Sequence, residues 1–108
     1  MIWIISGTQD GREIGAALAD REQSKPEGER REILMTVVSQ YGKVLAAHKG
    51  LDIEVGRFRE EDMLRVIREK GISLILDASH PYAAIVSETA RAACTKAGID
   101  YVRYERAE

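Results

Sequence analysis

Cysteine occurs once in the 108 residues, as Cys94, and that scarcity excludes an internal disulfide and a thiolate metal cluster. A lone thiol suits a reducing compartment, so the chain is expected to be soluble and cytoplasmic. Histidine is nearly as scarce. His48 and His80 lie far apart, and neither has an acidic cluster beside it, so no metal site is expected. Positive charge is not in excess either. The 16 Lys and Arg against 18 Asp and Glu give a net charge of −2, and the two signs are interspersed. No basic stripe therefore offers itself to nucleic acid or to an anionic membrane surface. No apolar run approaches the roughly 20 residues of a membrane span, and the first residues lead into a strand without a basic region or cleavage site. Repeats and low-complexity tracts are missing too. What is present is 44% hydrophobic residues in a length typical of one domain, enough for a core that needs no covalent staple.

Residues 2–5, Ile-Trp-Ile-Ile, are bulky and unrelieved by polar alternation, as in a strand buried on both faces. They run into the turn Ser6-Gly-Thr-Gln-Asp-Gly-Arg12, after which a helix is predicted from about Gly11 to Glu22, with Ile14, Ala17 and Leu18 on its apolar face. Residues 24–31 read as a solvated, mobile loop. A second strand spans 33–38, a brief helix 39–48, and a short third strand 52–55. Glu60, Glu61 and Asp62 crowd the first turn of the next helix, where negative charge complements the dipole, and Lys70-Gly71 closes it. The fourth strand, 73–76, is as apolar as the first and leads into Asp77-Ala-Ser-His-Pro-Tyr82. Pro81 suits the first position of the fourth helix. Tyr82, Val86, Ala90, Ala93, Cys94 and Ala97 keep helical spacing, which makes Cys94 a core residue. Residues 101–105 form a fifth strand. Strands alternating with helices predict an α/β, Rossmann-like fold: a five-stranded parallel sheet with helices on both faces. Placing the two most apolar strands at the centre selects the order 3-2-1-4-5.

Ligands of such sheets bind at the carboxyl ends of the strands beside the switch point, here between the first and fourth strands. The two oddest loops, 7–11 and 77–82, stand at those ends. Strand, glycine turn and helix bring backbone N–H groups and a helix dipole to an anion, which points to a phosphate-bearing ligand. Gly7, Gly11 and Gly15 are spaced four and four, which is neither G-x-G-x-x-G nor a P-loop. The same residues have a purely architectural reading. Gly7 ends the strand, Asp10 caps the helix with Glu13 completing a capping box, and Gly15 lets helix and sheet approach. An NAD site ordinarily places Asp or Glu at the end of the second strand. Val37-Val38-Ser39 stands there instead, and Ser39, with Lys43 and Arg57, could take a 2′-phosphate, so NADPH is favoured with NADH as the alternative. Ser39 also reads as an N-cap. His80 could donate to a phosphate or a substrate carboxylate, whereas Asp77 is expected to hydrogen-bond nearby backbone.

Four segments in order, Ser6-Gly-Thr-Gln-Asp-Gly-Arg12, Val55-Gly-Arg57, Asp77-Ala-Ser-His-Pro-Tyr-Ala83 and Tyr101-Val-Arg-Tyr-Glu-Arg106, resemble the signatures of the precorrin-6A reductase family, including its cobalt-precorrin-6A form. The resemblance implies NAD(P)H-dependent reduction of one double bond of a tetrapyrrole to the 6B form, in cobalamin biosynthesis. It implies a cofactor-binding set of Gly7, Thr8, Asp10, Gly11, Arg12, Ser39, Gly56, Arg57 and His80, with His80 and Tyr82 facing the substrate. His80 is the one candidate for a catalytic proton donor. Ser79 stands where Thr is commoner, and Ala107 where the family continues with Pro. The resemblance further implies that residues 1–108 are a dinucleotide-binding domain, the N-terminal half of a two-domain enzyme. Its partner is then a C-terminal domain absent here, and this half is expected to be inactive alone. The alternative is a non-catalytic nucleotide-binding regulatory module.

Overall fold

A strand points successive side chains to opposite faces, so an unbroken apolar strand has to be covered on both. The computed structural model, which describes residues 1–81 and 83–105, meets that requirement with helices on both sides of a single sheet. In chain order the elements are β1 (Ile2–Ser6), α1 (Gln9–Gln23), a 3-10 turn (Glu27–Glu29), β2 (Ile33–Val37), α2 (Gln40–Ala46), β3 (Leu51–Val55), α3 (Glu60–Lys70), β4 (Leu74–Ala78), α4 (Ala84–Ala97) and β5 (Asp100–Arg103). The strands are all parallel, in the order β3-β2-β1-β4-β5. At the centre Ile4 pairs with Met35 on one side and Leu76 on the other. Trp3, Ile5, Leu34 and Ile75 pack on α3 and α4, while Ile2, Ile4, Ile33, Met35 and Val37 pack on α1 and α2. Every residue of β1 and β2 is buried, whereas β3 and β5 alternate between partly buried and exposed residues, as edge strands do.

Several boundaries differ from the sequence expectation. Helix α1 begins at Gln9, two residues early, and its N-cap is Thr8 rather than Asp10. A cap needs extended backbone and a side-chain oxygen aimed at the third helical amide. Thr8 meets this, at φ −136° and ψ 165°, with Oγ1 accepting from the Gly11 amide at 3.0 Å. Asp10 already lies in the first turn, and Glu13 accepts from the Gln9 side chain instead of closing a box. The buried face of α1 is Gly11, Gly15, Ala19 and Glu22, and Ala17 is exposed. A Cβ on Gly15 would stand 2.2 Å from Met35 Cε, so any side chain there requires the Met35 methyl to shift. Residues 24–31 are largely exposed, as expected, and carry a 3-10 turn tied to the end of α1. Buried Glu22 accepts from Lys25 Nζ at 2.8 Å and from the Arg31 amide at 2.7 Å.

Strand β4 runs two residues further than expected, so Asp77 and Ala78 pair with Ile5 and Ser6 inside the sheet. Helix α4 consequently starts at Ala84, not Pro81, after a turn in which the Ala83 amide donates to the His80 carbonyl at 2.8 Å. Helix α2 stops at Ala46, and His48 reaches across to Asp20 at 2.8 Å. Gly71 and Gly98 end α3 and α4 in the left-handed region, at φ 65° and 71°, which a side chain would strain.

Cys94 is buried in the core under α4, as its spacing predicted. Burial and, second, the Asp100 carboxylate push its thiol up to about 11. Native protein at pH 8 is therefore expected to resist iodoacetamide, and to become labelled only in denaturant. Rapid labelling of the folded chain, followed by mass spectrometry, would contradict this placement.

Candidate nucleotide site

The turn after β1 is clasped to the end of β4. Thr8 Oγ1, besides capping α1, donates to the Ala78 carbonyl at 3.2 Å. Gly11 lies beneath it, where a Cβ would meet Ser6 Oγ at 2.8 Å and the Ala78 carbonyl at 3.3 Å. Gly7 sits against the next loop, since its Cβ would stand 3.3 Å from the His80 amide nitrogen. The two loops at the switch point are thus one continuous surface, and glycine permits the contact at both places.

Two clefts open back to back at the carboxyl rim of β1 and β2, sharing Ser6, Val37 and Val38. The first, about 270 Å³, lies on the α1–α2 side and brings Gly7, Arg12 and Ser39 together with Tyr41, Gly42 and Leu45. Among the described residues no carboxylate lines it. Ser39 is the N-cap of α2, its Oγ accepting from the Gly42 amide at 3.0 Å. The second cleft, about 210 Å³, lies on the α3–α4 side and is mostly apolar, with Trp3, Phe58, Met63, Ile85 and Val86 in its walls. Gly56 and Arg57 line this second cleft rather than the first, because the chain leaving β3 passes to the α3 side of the sheet, where Phe58 packs. Lys43, exposed on α2, lines neither. Asp10 is half-buried in the first turn of α1, and His80 is exposed at the rim. Tyr82 lies outside the described residues.

Beside the rim is a polar cluster that sequence reasoning missed. Asp77 was expected to bond nearby backbone, and its Oδ1 does accept from the Ser79 amide at 3.0 Å. Its remaining partners are side chains from α4 and β5: Ser87 Oγ at 2.6 Å, Tyr101 OH at 2.6 Å and Arg103 Nη1 at 3.1 Å. The Asp77 side chain is 0% exposed. Burial pushes its carboxyl up, but the bonds from Ser79, Ser87 and Tyr101 together outweigh that and hold it below the ordinary value. Tyr101 is raised, first by burial and then by its bond to Asp77. Tyr101 and Arg103 are two apart on β5, and Arg103 pairs with Asp77 across the ladder. That polar i, i+2 pair beside a strand-end aspartate was the available signal.

Among the described residues no group of three or more His, Cys, Asp and Glu could hold a metal ion, and no helix is long and apolar enough to cross a membrane. Comparison with known proteins agrees across the whole chain. The family model described as precorrin-6x reductase CbiJ/CobK matches residues 1–108. The cobalt-precorrin-6A reductase of Priestia megaterium is 35% identical over 107 residues, covering 99% of this chain and 39% of that protein. The cobalt-precorrin-6A reductase of Synechocystis sp. is 30% identical over 106 residues, covering 97% and 38%. A solved structure, CobK precorrin-6A reductase, superposes with a TM-score of 0.75 over 98% of this chain and 39% of its own, at 24% identity, and supports the fold. The chain spans about two fifths of the length of these relatives. The ordered signatures, the sheet order and the family match agree that this chain belongs to the precorrin-6x reductase CbiJ/CobK family.

Proposed function

We propose that this chain is the dinucleotide-binding part of a cytoplasmic, NADPH-dependent reductase of precorrin-6A or cobalt-precorrin-6A, and that alone it binds the cofactor without appreciable turnover. The observation that carries the reading is the first cleft: Gly7, Arg12 and Ser39 converge at the carboxyl ends of β1 and β2, and no carboxylate among the described residues lines it. A dinucleotide fits that chemistry. Its pyrophosphate would lie on Gly7, Thr8 and the amino end of α1, where Gly11 keeps the helix close and the dipole favours an anion. Arg12 contributes the positive charge. Ser39 supplies a hydroxyl at the position where an acid would repel a 2′-phosphate, while Gly56 and Arg57 stand across the rim on the second cleft. The bound nicotinamide supplies a hydride. His80 would face the junction of nicotinamide and tetrapyrrole, with His80 or solvent supplying the proton that accompanies the hydride.

Hydride transfer needs the donor and acceptor carbons held close, with water largely excluded. Both clefts here open onto solvent. The relatives have more than half their length beyond the matched part, and we assign the covering of the macrocycle to that remainder. Calorimetric titration of this chain with NADPH and NADH is the test. NADPH is expected to bind at least tenfold tighter than NADH. Arg12→Ala is expected to weaken NADPH about tenfold or more, the scale of one charge-assisted hydrogen bond. Equal affinities would remove the second-strand inference, absence of binding the nucleotide reading, and reductase turnover by the chain alone the claim of incompleteness.

A further inference from the structure

Arg103 sits at the end of the edge strand, yet its side chain turns back over the end of β4 and is only 17% exposed. One nitrogen, Nη1, lies within hydrogen-bond distance of four oxygens: the Ser79 carbonyl at 2.9 Å, Ser79 Oγ at 3.1 Å, Asp77 Oδ1 at 3.1 Å and the Asp77 carbonyl at 3.3 Å. Next along, the Tyr104 amide donates to the Asp77 carbonyl at 2.9 Å. The carbonyl that Arg103 holds belongs to the Ser79–His80 peptide, and the nitrogen of that same peptide bond is the atom that a Cβ on Gly7 would approach to 3.3 Å. One residue earlier, the Ala78 carbonyl takes the Thr8 hydroxyl. The end of β5 is therefore bonded to the Ser79–His80 peptide, which lies close over Gly7, and the adjoining Ala78–Ser79 peptide is bonded to Thr8 in the turn after β1.

We propose that Arg103 is a positioning residue for the nucleotide site: it fixes the Ser79–His80 peptide against Gly7, so that the shape of the phosphate turn depends on where the end of β5 lies. The chemistry of the group explains the choice. A guanidinium is planar, keeps its charge at all accessible pH values, and offers several donors in one fixed plane. It can hold a carboxylate and a carbonyl on neighbouring residues in one orientation, whereas an ammonium is a rotatable point charge. Asp77 is the fixed anchor, since it is itself tied to Ser87 on α4 and to Tyr101. The affinity arm of the test rests on the nucleotide reading above; the resonance arm does not.

The experiment compares the wild-type chain with Arg103→Met, Arg103→Lys and a stability control, Ile67→Ala, which opens the core under α3 away from both loops. Backbone amide resonances are assigned, and NADPH is titrated into each protein. Arg103→Met is expected to move the amides of Ser79, His80, Gly7 and Thr8 and to weaken NADPH at least tenfold, with Arg103→Lys restoring part of both. Ile67→Ala is expected to lower the melting temperature while leaving those four amides and the affinity in place. If Gly7 and Thr8 stay unmoved in the Arg103 variants, or if Ile67→Ala reproduces the whole effect, the proposal is overturned. Should Arg103→Met fail to fold, Arg103→Lys carries the same comparison. A wild-type chain that does not bind NADPH would remove the nucleotide reading, and the Gly7 and Thr8 resonances would still decide the positional coupling.

Discussion

Asp77→Ala is expected to destabilise the chain by about 3–5 kcal/mol, the usual consequence of removing one partner from a buried ion pair, and so to leave a domain of ordinary stability close to unfolded at 25 °C. Four donors lose the carboxylate together, the Ser79 amide, Ser87 Oγ, Tyr101 OH and Arg103 Nη1, and of these Arg103 keeps the oxygens of Ser79 and the Asp77 carbonyl. Among the described residues no buried side-chain nitrogen or oxygen lacks a partner, so the wild-type arrangement leaves little slack to absorb the change. Asp77→Asn keeps one carbonyl oxygen for these donors but turns an NH2 toward others, and is expected to lose less. Urea unfolding at pH 7 measures both. The pH dependence has a definite sign. The Asp77 carboxyl is lowered in the folded state, because the bonds outweigh burial. Its contribution is therefore complete above the unfolded value of about 3.9 and is lost as pH falls through the folded one. The stability gap between wild type and Asp77→Asn should shrink on acidification below about pH 4. A gap that held constant down to pH 2 would show that the carboxylate is not what the cluster stabilises.

Trp3→Ala should cost a similar amount, about 3–5 kcal/mol, for a different reason. Trp3 is fully buried in the central strand and touches both the core and the site. Its ring meets Phe58 edge-on, with centroids 5.3 Å apart and planes at 79°, and its Nε1 donates to Thr36 Oγ1 at 3.0 Å. The truncation leaves a cavity beside Met63 and frees the loop that carries Gly56, Arg57 and Phe58 over the apolar cleft. Trp3→Phe preserves a ring and loses the hydrogen bond with part of the volume, so about 1–2 kcal/mol is expected. Circular dichroism is the probe, because Trp3 is the only tryptophan. A loss under 1 kcal/mol for Trp3→Ala would mean that α3 closes over the vacated space.

The topology was legible in the residues because its cause is local. Ile2 to Ile5 and Leu74 to Leu76 are apolar on both faces, which admits them only to the middle of a covered sheet, and the alternation of Asp52 and Glu54 with Leu51 and Ile53 assigns β3 to an edge. The positions of Gly71 and Gly98 could be read in the same way, since a helix end needing a left-handed residue announces itself one residue at a time. So could the burial of Cys94. Helix α1 shows where such reading stops. Its periodicity pointed to Ile14, Ala17 and Leu18; Leu18 does pack against the core, but Ala17 is exposed and the residues fully buried on the sheet include Gly11, Gly15 and Ala19, because closeness of approach as well as apolarity decides which face a helix turns inward. The placement of Gly56 and Arg57 on the opposite side of the rim from Arg12 and Ser39 followed only from the path of β3. Asp77 shows it most clearly. Its side-chain partners at 87, 101 and 103 are brought together by a crossover helix and a parallel return strand. Sequence by itself determined the sheet and its order and pointed to the rim proposed for a ligand; only the tertiary structure decided which distant polar groups meet beside it, because hydrogen-bond partners are chosen by distance in space and not along the chain.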